Sequence, residues 1–313
     1  MPRFRHDLPQ MREGLFLTDG GLETTLVFLE NVPLPMFASF PLVVDEQGQE
    51  RLRSYYRPYL EIARERGLGF ILDTPTWRAN ADWAKLLGYG PTALASVNRR
   101  AVALLEAIRD EADHPAPLVI SGIVGPRGDG YRPDSRMTAE DARSYHHAQI
   151  ATFAETEADM VSAVTLNYAE EALGIARAAA DVDLPLVLSF TVETDGRLPS
   201  GQQLRDAVAT VDDATGGSPV YYMINCAHPS HFRHVLEDGG QWLDRIGGIR
   251  ANASARSHAE LDEATELDIG DPKALAQDYR RMRDQLRRLC VMGGCCGTDH
   301  RHLRAICEAV LPG

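Results

Sequence analysis

Hydrophobic residues along this chain gather into eight short runs: Leu15 to Thr18, Gly69 to Leu72, Leu118 to Ile123, Met160 to Leu166, Pro185 to Val192, Val220 to Ile224, Ile246 to Ile249, and Leu289 to Met292. Several are rich in Val and Ile, and most are bounded by Gly, Pro or Asp, which is how strands buried in a parallel sheet read. The longer spans between them predict helices, among them Glu50 to Arg66, Thr92 to Ala112, Thr138 to Glu157, Ala169 to Ala180, Gln203 to Val211 and Pro272 to Leu289. Asp271 before Pro272 marks one helix start, a capping side chain followed by a residue whose missing N–H costs nothing there. Eight such units in 313 residues come to about 39 residues each, the size of one strand and helix in a closed barrel. No internal sequence repeat and no low-complexity linker divides the chain. The pattern therefore predicts the α/β class, as one (β/α)8 TIM barrel over residues 1–313.

Composition narrows the function classes. The chain is 44% hydrophobic and 25% charged, ordinary for a globular protein, and its net charge is −13. No block of clustered Lys and Arg is present, so nucleic acid is not expected as a partner. No apolar run reaches the length of a membrane span, and the polar N-terminal stretch has no apolar export core. A cytoplasmic protein with no membrane partner is expected, with a homo-oligomer left open. Five cysteines are an odd number, so they do not complete a disulfide framework.

Three of those cysteines point to chemistry. Cys295 and Cys296 follow an apolar run and two glycines in MGGCCGTDH, where a buried strand gives way to a turn. Adjacent cysteines form a mutual disulfide only with severe strain, whereas two thiolates at a turn bind one cation if a third arrives from elsewhere. Cys226, in VYYMINCAHP, ends another apolar run. Alone it reads as a small buried hydrophobe; joined to the pair it reads as the third ligand. Strand ends converge on one face of a barrel, and Cys226 lies about two βα units before the pair, so the three thiolates can meet at one ion. Soft thiolate ligands favour zinc, and three of them leave a fourth position for substrate. A zinc with three thiolates is a poor generator of hydroxide but suits holding a substrate thiol as thiolate, which implies thiol alkylation. Closure also brings the first strand, ending in Thr18, Asp19, Gly20 and Gly21, beside the eighth. Cys290 and Cys307 read as packing residues.

TDGGLETTL (Thr18 to Leu26), SGIVGPRGDGY (Ser121 to Tyr131), INCAHP (Ile224 to Pro229) and GGCCGT (Gly293 to Thr298) together resemble the homocysteine S-methyltransferase family. The resemblance covers nearly the whole chain, with the motifs in the family's order. It implies a zinc held by Cys226, Cys295 and Cys296, with homocysteine sulfur as fourth ligand. It also implies that Asp19 and the backbone near Gly20 and Gly21 hold the amino-acid end of homocysteine. A carboxylate facing an ammonium makes a charge-assisted hydrogen bond, and bare glycine amides can approach a carboxylate. The implied partners are a small-molecule thiol acceptor and an onium methyl donor of the S-methylmethionine or betaine type. One departure stands out: where many family members end the fourth strand in Glu-Thr, this chain has Val164 and Thr165. Glu193 and Glu23 are the candidates for the missing carboxylate, and Thr165 and Asn225 are placed at the acceptor.

Trp77 falls at the catalytic face by position, where an aromatic wall stabilises an onium by cation–π attraction. Arg78, Asn80, Arg127, Asp129 and Tyr131 are further candidates for substrate contact or loop bracing. His228, His231 and His234 extend the metal site or, more commonly for such spacing, form a polar helix face. Two other classes are weighed: a thiol-binding zinc barrel without turnover, and a methyltransferase for a different thiol. A metal-dependent hydrolase barrel is disfavoured by the absence of an HxH pair after the first strand.

Overall fold

The computed structural model describes residues 1–12 and 14–311. Eight parallel strands close into one barrel in sequence order. They are β1 (Phe16–Leu17), β2 (Gly69–Asp73), β3 (Leu118–Val124), β4 (Met160–Leu166), β5 (Leu186–Phe190), β6 (Tyr221–Asn225), β7 (Ile246–Ala251) and β8 (Val291–Gly294). One long helix follows each strand: α1 (Glu46–Arg66), α2 (Pro91–Glu111), α3 (Ala139–Ala154), α4 (Ala169–Ala180), α5 (Leu204–Thr215), α6 (Pro229–Glu237), α7 (Pro272–Gln285) and α8 (His300–Val310). All eight expected strands are present and the single (β/α)8 barrel stands. The Asp271 cap of α7 is also real, its side chain accepting from the Lys273 N–H. No helix among the described residues is long and apolar enough to cross a membrane.

Two local differences bear on function. Gly293 and Gly294 belong to β8 instead of forming the turn after it. A Cβ at Gly293 would strike Thr18, and one at Gly294 would strike Thr298, so glycine lets β8 lie close to its neighbours where the barrel closes. The stretch after Cys226 forms α6, which the apolar pattern had not marked; His228 caps it by accepting from the Ser230 N–H.

Side chains alternate between two layers. Outward residues join the large cluster against the helices, while Phe16, Ile71, Val119, Ile123, Met160, Val164, Val187, Tyr221, Met223 and Val291 fill the barrel. The N-terminal segment closes the base, with Leu8 buried in that inner cluster and Phe4 packed against it. Asp159, just before β4, fixes this plug: it accepts from Phe4 N–H at 2.8 Å, Ile120 N–H at 2.9 Å and Arg109 Nη1 at 3.2 Å. Asp159 and Arg109 are both buried. Asp159→Ala therefore strands a buried guanidinium and should cost about 3–5 kcal/mol in urea unfolding. A loss below about 1 kcal/mol would show that the pair does not hold the base together.

Candidate active site

At the C-terminal mouth of the barrel lies a cavity of about 410 Å³, within the range of small-ligand sites. Cys226, Cys295 and Cys296 line its floor, and their sulfurs all lie within 4.8 Å of one another. Backbone pairing sets this convergence. Cys226 N–H donates to Arg250 O at 3.1 Å, Cys295 N–H to Ala251 O at 2.9 Å, and Ala253 N–H to Cys296 O at 3.0 Å, so β7 stitches the two cysteine strands together. Cys226 and Cys295 are joined as a disulfide with Cα atoms 5.3 Å apart. Three sulfurs around a tetrahedral zinc would sit about 3.8 Å apart, so the convergence that suits a cation also lets two of them bond. Burial holds the remaining Cys296 thiol up at about 11, with the Glu23 carboxylate adding to it. A cation at the cluster reverses that preference, because coordination deprotonates a thiol outright. The donor set thus fits a soft divalent metal.

The environment of Cys226 is built from polar groups on three neighbouring strands. Asn225, which points into the barrel by alternation, spends its side chain on the scaffold: Oδ1 accepts from Thr165 N–H at 2.9 Å and Ser189 Oγ at 2.6 Å, and Nδ2 donates to Thr165 Oγ1 at 2.9 Å. Thr165 Oγ1 in turn donates to Cys226 Sγ at 3.8 Å. Both Thr165 (φ 61°) and Cys226 (φ 53°) adopt left-handed backbone, costly for a β-branched residue and held here by this network. His258 bridges Cys226 O, at 2.6 Å from Nε2, and Glu193 Oε1, at 3.1 Å from Nδ1, and its ring packs at a tilt on Tyr131, 4.1 Å between centroids. Glu193 therefore braces Cys226 through His258, and it is not among the residues lining the cavity.

A second network lies across the floor. Asp19 is buried at the end of β1, accepting from Tyr55 Oη at 3.1 Å and from Arg250 Nη2 at 2.5 Å. Arg250 also pairs with Asp73 and donates from Nε to Gly294 O at 3.2 Å. Two carboxyl groups thus share one guanidinium. Burial raises the pKa of both, that of Asp73 to about 7, against the pull of Arg250. Val164 and Glu23 line the cavity; Glu23 accepts from Ser39 Oγ at 2.6 Å, and burial raises its pKa too.

The model of the homocysteine S-methyltransferase family matches residues 16–310. The chain belongs to this family. It is accordingly a methyltransferase. Among related proteins, homocysteine S-methyltransferase 4 of Zea mays is 22% identical over 286 residues, covering 83% of this chain and 79% of that one. The oxidized form of the homocysteine methyltransferase MmuM from Escherichia coli superposes with a TM-score of 0.76 at 20% identity, covering 95% of this chain and 96% of that one. Its metallated form gives 0.72 at 20% identity, covering 94% and 96%. At these identities the structures attest the barrel; the family assignment rests on the sequence match.

Within the family reading, the other candidates divide by geometry. Gly20 and Gly21 line the cavity, yet their backbone is packed against the turn after β8: Gly21 N–H donates to Thr298 O at 3.0 Å. Trp77 lines the cavity with Nε1 buried and without a hydrogen-bond partner among the described residues, while Arg78 lies 4.9 Å from its ring and 4.0 Å from that of Trp83. Asn80 is consumed, capping the helix Ala81–Leu86 and donating to Pro126 O at 3.0 Å. Arg127 pairs with Asp82 away from the cavity, whereas Asp129 and Tyr131 line it. His231 and His234 bond Ala255 O and Asp195 O, and with His228 they stay outside the cavity lining, so they belong to the helix face. Cys290 donates to Gly247 O and Cys307 is buried in α8, both as packing groups.

Sequence reasoning missed Arg250, Asp73, His258 and Asn252. Asn252 is 2% exposed, lines the cavity, and has Oδ1 buried with no partner among the described residues. A signal existed for two of them: Arg250 stands inside an apolar strand, and Asp73 closes the run GFILD. The Asp73 carboxyl gives a pH test. Between its ordinary value near 3.9 and about 7, the folded chain keeps a proton that the unfolded chain has lost, so stability falls as pH rises through that window. Asp73→Asn removes the effect. Urea unfolding at pH 4.5 and pH 7.5 should show the wild type losing stability relative to the variant; parallel profiles would refute the raised pKa.

Proposed function

We propose that this methyltransferase moves a methyl group from a small onium donor, of the S-methylmethionine or betaine type, to the thiol of homocysteine, giving methionine, and that it uses zinc. The observation that carries the reading is the meeting of three cysteine sulfurs within 4.8 Å on the cavity floor, with buried Asp19 on the same floor. Cys226, Cys295 and Cys296 would hold the zinc. Bound there, it supplies the charge that keeps a thiol, with an ordinary pKa of about 8.5, deprotonated at neutral pH while the sulfur stays nucleophilic.

The chain's own residues orient and enclose. Asp19 faces the acceptor ammonium, and Thr165, held by Asn225, positions Cys226. In the transfer a sulfur lone pair forms the S–CH3 bond as the methyl bond to the onium breaks, its electron pair leaving with a neutral thioether or amine. Opposite charges cancel as this proceeds, so apolar walls from Ile123, Val164 and Trp77 favour it. Most of the acceleration is then orientation. Glu23, Asp129, Asp262, Glu266 and Asp268 give the cavity carboxylates that attract a cationic donor and repel a polyanionic one.

A different acceptor thiol is the second reading, favoured by apolar Val164 where many family members carry a glutamate. Reduced protein should bind zinc stoichiometrically and form methionine from homocysteine with S-methylmethionine or betaine, and Cys295→Ala should lose both properties. Zinc retained by the variant with full turnover would sink the cysteine site, while stoichiometric zinc without turnover on homocysteine would move the acceptor to another thiol.

A further inference from the structure

One of the groups expected to hold the acceptor's carboxylate, the Gly21 amide, is already engaged. Gly21 donates its N–H to Thr298 O, and a Cβ at Gly20 would lie 2.6 Å from Thr298 O and 2.8 Å from Tyr59 Oη, so this peptide is wedged against the turn after β8. A carboxylate in a dry pocket needs more N–H partners than the Gly20 amide alone supplies.

Arg250 meets the requirement. Its place on β7 points it into the barrel, its side chain is 11% exposed, and it lines the cavity floor with Asp19 and Asp73. Each guanidinium nitrogen has one partner among the described residues: Gly294 O for Nε, Asp73 for Nη1 and Asp19 for Nη2. A guanidinium carries five N–H groups, so two are left over, one on Nη1 and one on Nη2, as donors for a carboxylate. The charges also count. Two carboxyl groups share this one guanidinium, and burial opposes the ionisation of both. An α-amino acid is neutral overall and leaves the network's net charge unchanged, while its ammonium resting on the carboxylates and its own carboxylate on the guanidinium make opposite charges alternate. A thiol with a carboxylate alone adds a negative charge beside Asp19 and Asp73; a thiol with an ammonium alone leaves the Arg250 donors unpaired.

We propose that Arg250 is a specificity-determining residue of the acceptor site, receiving the carboxylate of an amino-acid thiol whose ammonium rests on Asp19. This rests on the homocysteine reading above. The test measures both binding and methyl transfer with the reduced, zinc-loaded full chain, wild type and Arg250→Lys. Three thiols are compared: homocysteine, 3-aminopropane-1-thiol, which lacks the carboxylate, and 4-sulfanylbutanoate, which lacks the ammonium. Wild type should bind homocysteine at least about 10-fold more tightly than 3-aminopropane-1-thiol. Arg250→Lys keeps the charge beside Asp19 and Asp73 but loses the guanidinium. It should weaken homocysteine by roughly 10-fold or more, seen in KM more than in kcat, and by at least about 10-fold more than it weakens 3-aminopropane-1-thiol. Equal losses for the two thiols would make Arg250 a brace for the carboxylates and overturn the proposal. So would a wild type that binds both equally well, which decides the matter even if the variant does not fold. Selective, Arg250-dependent binding of homocysteine without methyl transfer would leave the proposal standing and sink the reading beneath it. Methyl transfer with no preference for the carboxylate would do the reverse.

Discussion

Pairing of β8 with β1 is the constraint on which this site depends. Phe16 lies opposite Val291 and Leu17 opposite Met292, and only by closing there does the sheet bring the strand that ends in Asp19 beside the strand that ends in Cys295 and Cys296. Gly294 N–H donates to Asp19 O at 2.8 Å, one residue from the first cysteine of the pair. Glycines at 293 and 294 permit the approach. Closure thus holds Asp19 and the three cysteines, which follow three different strands, in one place before any small molecule arrives.

The floor of the cavity joins two polar systems of different character. Around Cys226 the groups are neutral or locally paired and are consumed by the scaffold: Asn225, Thr165 and Ser189 on one side, His258 and Glu193 on the other. They fix where a sulfur points. Asp19, Arg250 and Asp73 instead form a network in which two carboxyls share one guanidinium and burial opposes their ionisation. Buried titratable groups with shifted pKa values are costly and cluster at functional sites. The first system braces Cys226, and the proposed acceptor contacts fall on the second.

The large rim contributes the remaining selectivity. Its carboxylates set the sign of the potential that a donor meets, and Trp77 adds an aromatic surface, one side of which Arg78 approaches. A cationic methyl donor is favoured at such a mouth by long-range attraction before any contact forms.

Much of this was legible in the residues themselves. Eight apolar runs bounded by Gly, Pro and Asp determined the barrel, because a strand buried on both faces has to be apolar throughout. The sequence placed Cys226, Cys295, Cys296 and Asp19 at the ends of those runs, where barrel geometry gathers them. It could not show which polar groups were free. Asn225, Asn80 and Glu193 carry the right chemistry for substrate contact, but their hydrogen bonds go to Thr165, Pro126 and His258, partners distant in the chain. Nor could it show that the Gly21 amide is spent on Thr298, or that Arg250 stands between Asp19 and Asp73, separated from them by 231 and 177 residues. Local pattern decides where a side chain sits on its strand; whether its donors and acceptors are satisfied depends on neighbours that only closure of the barrel brings together.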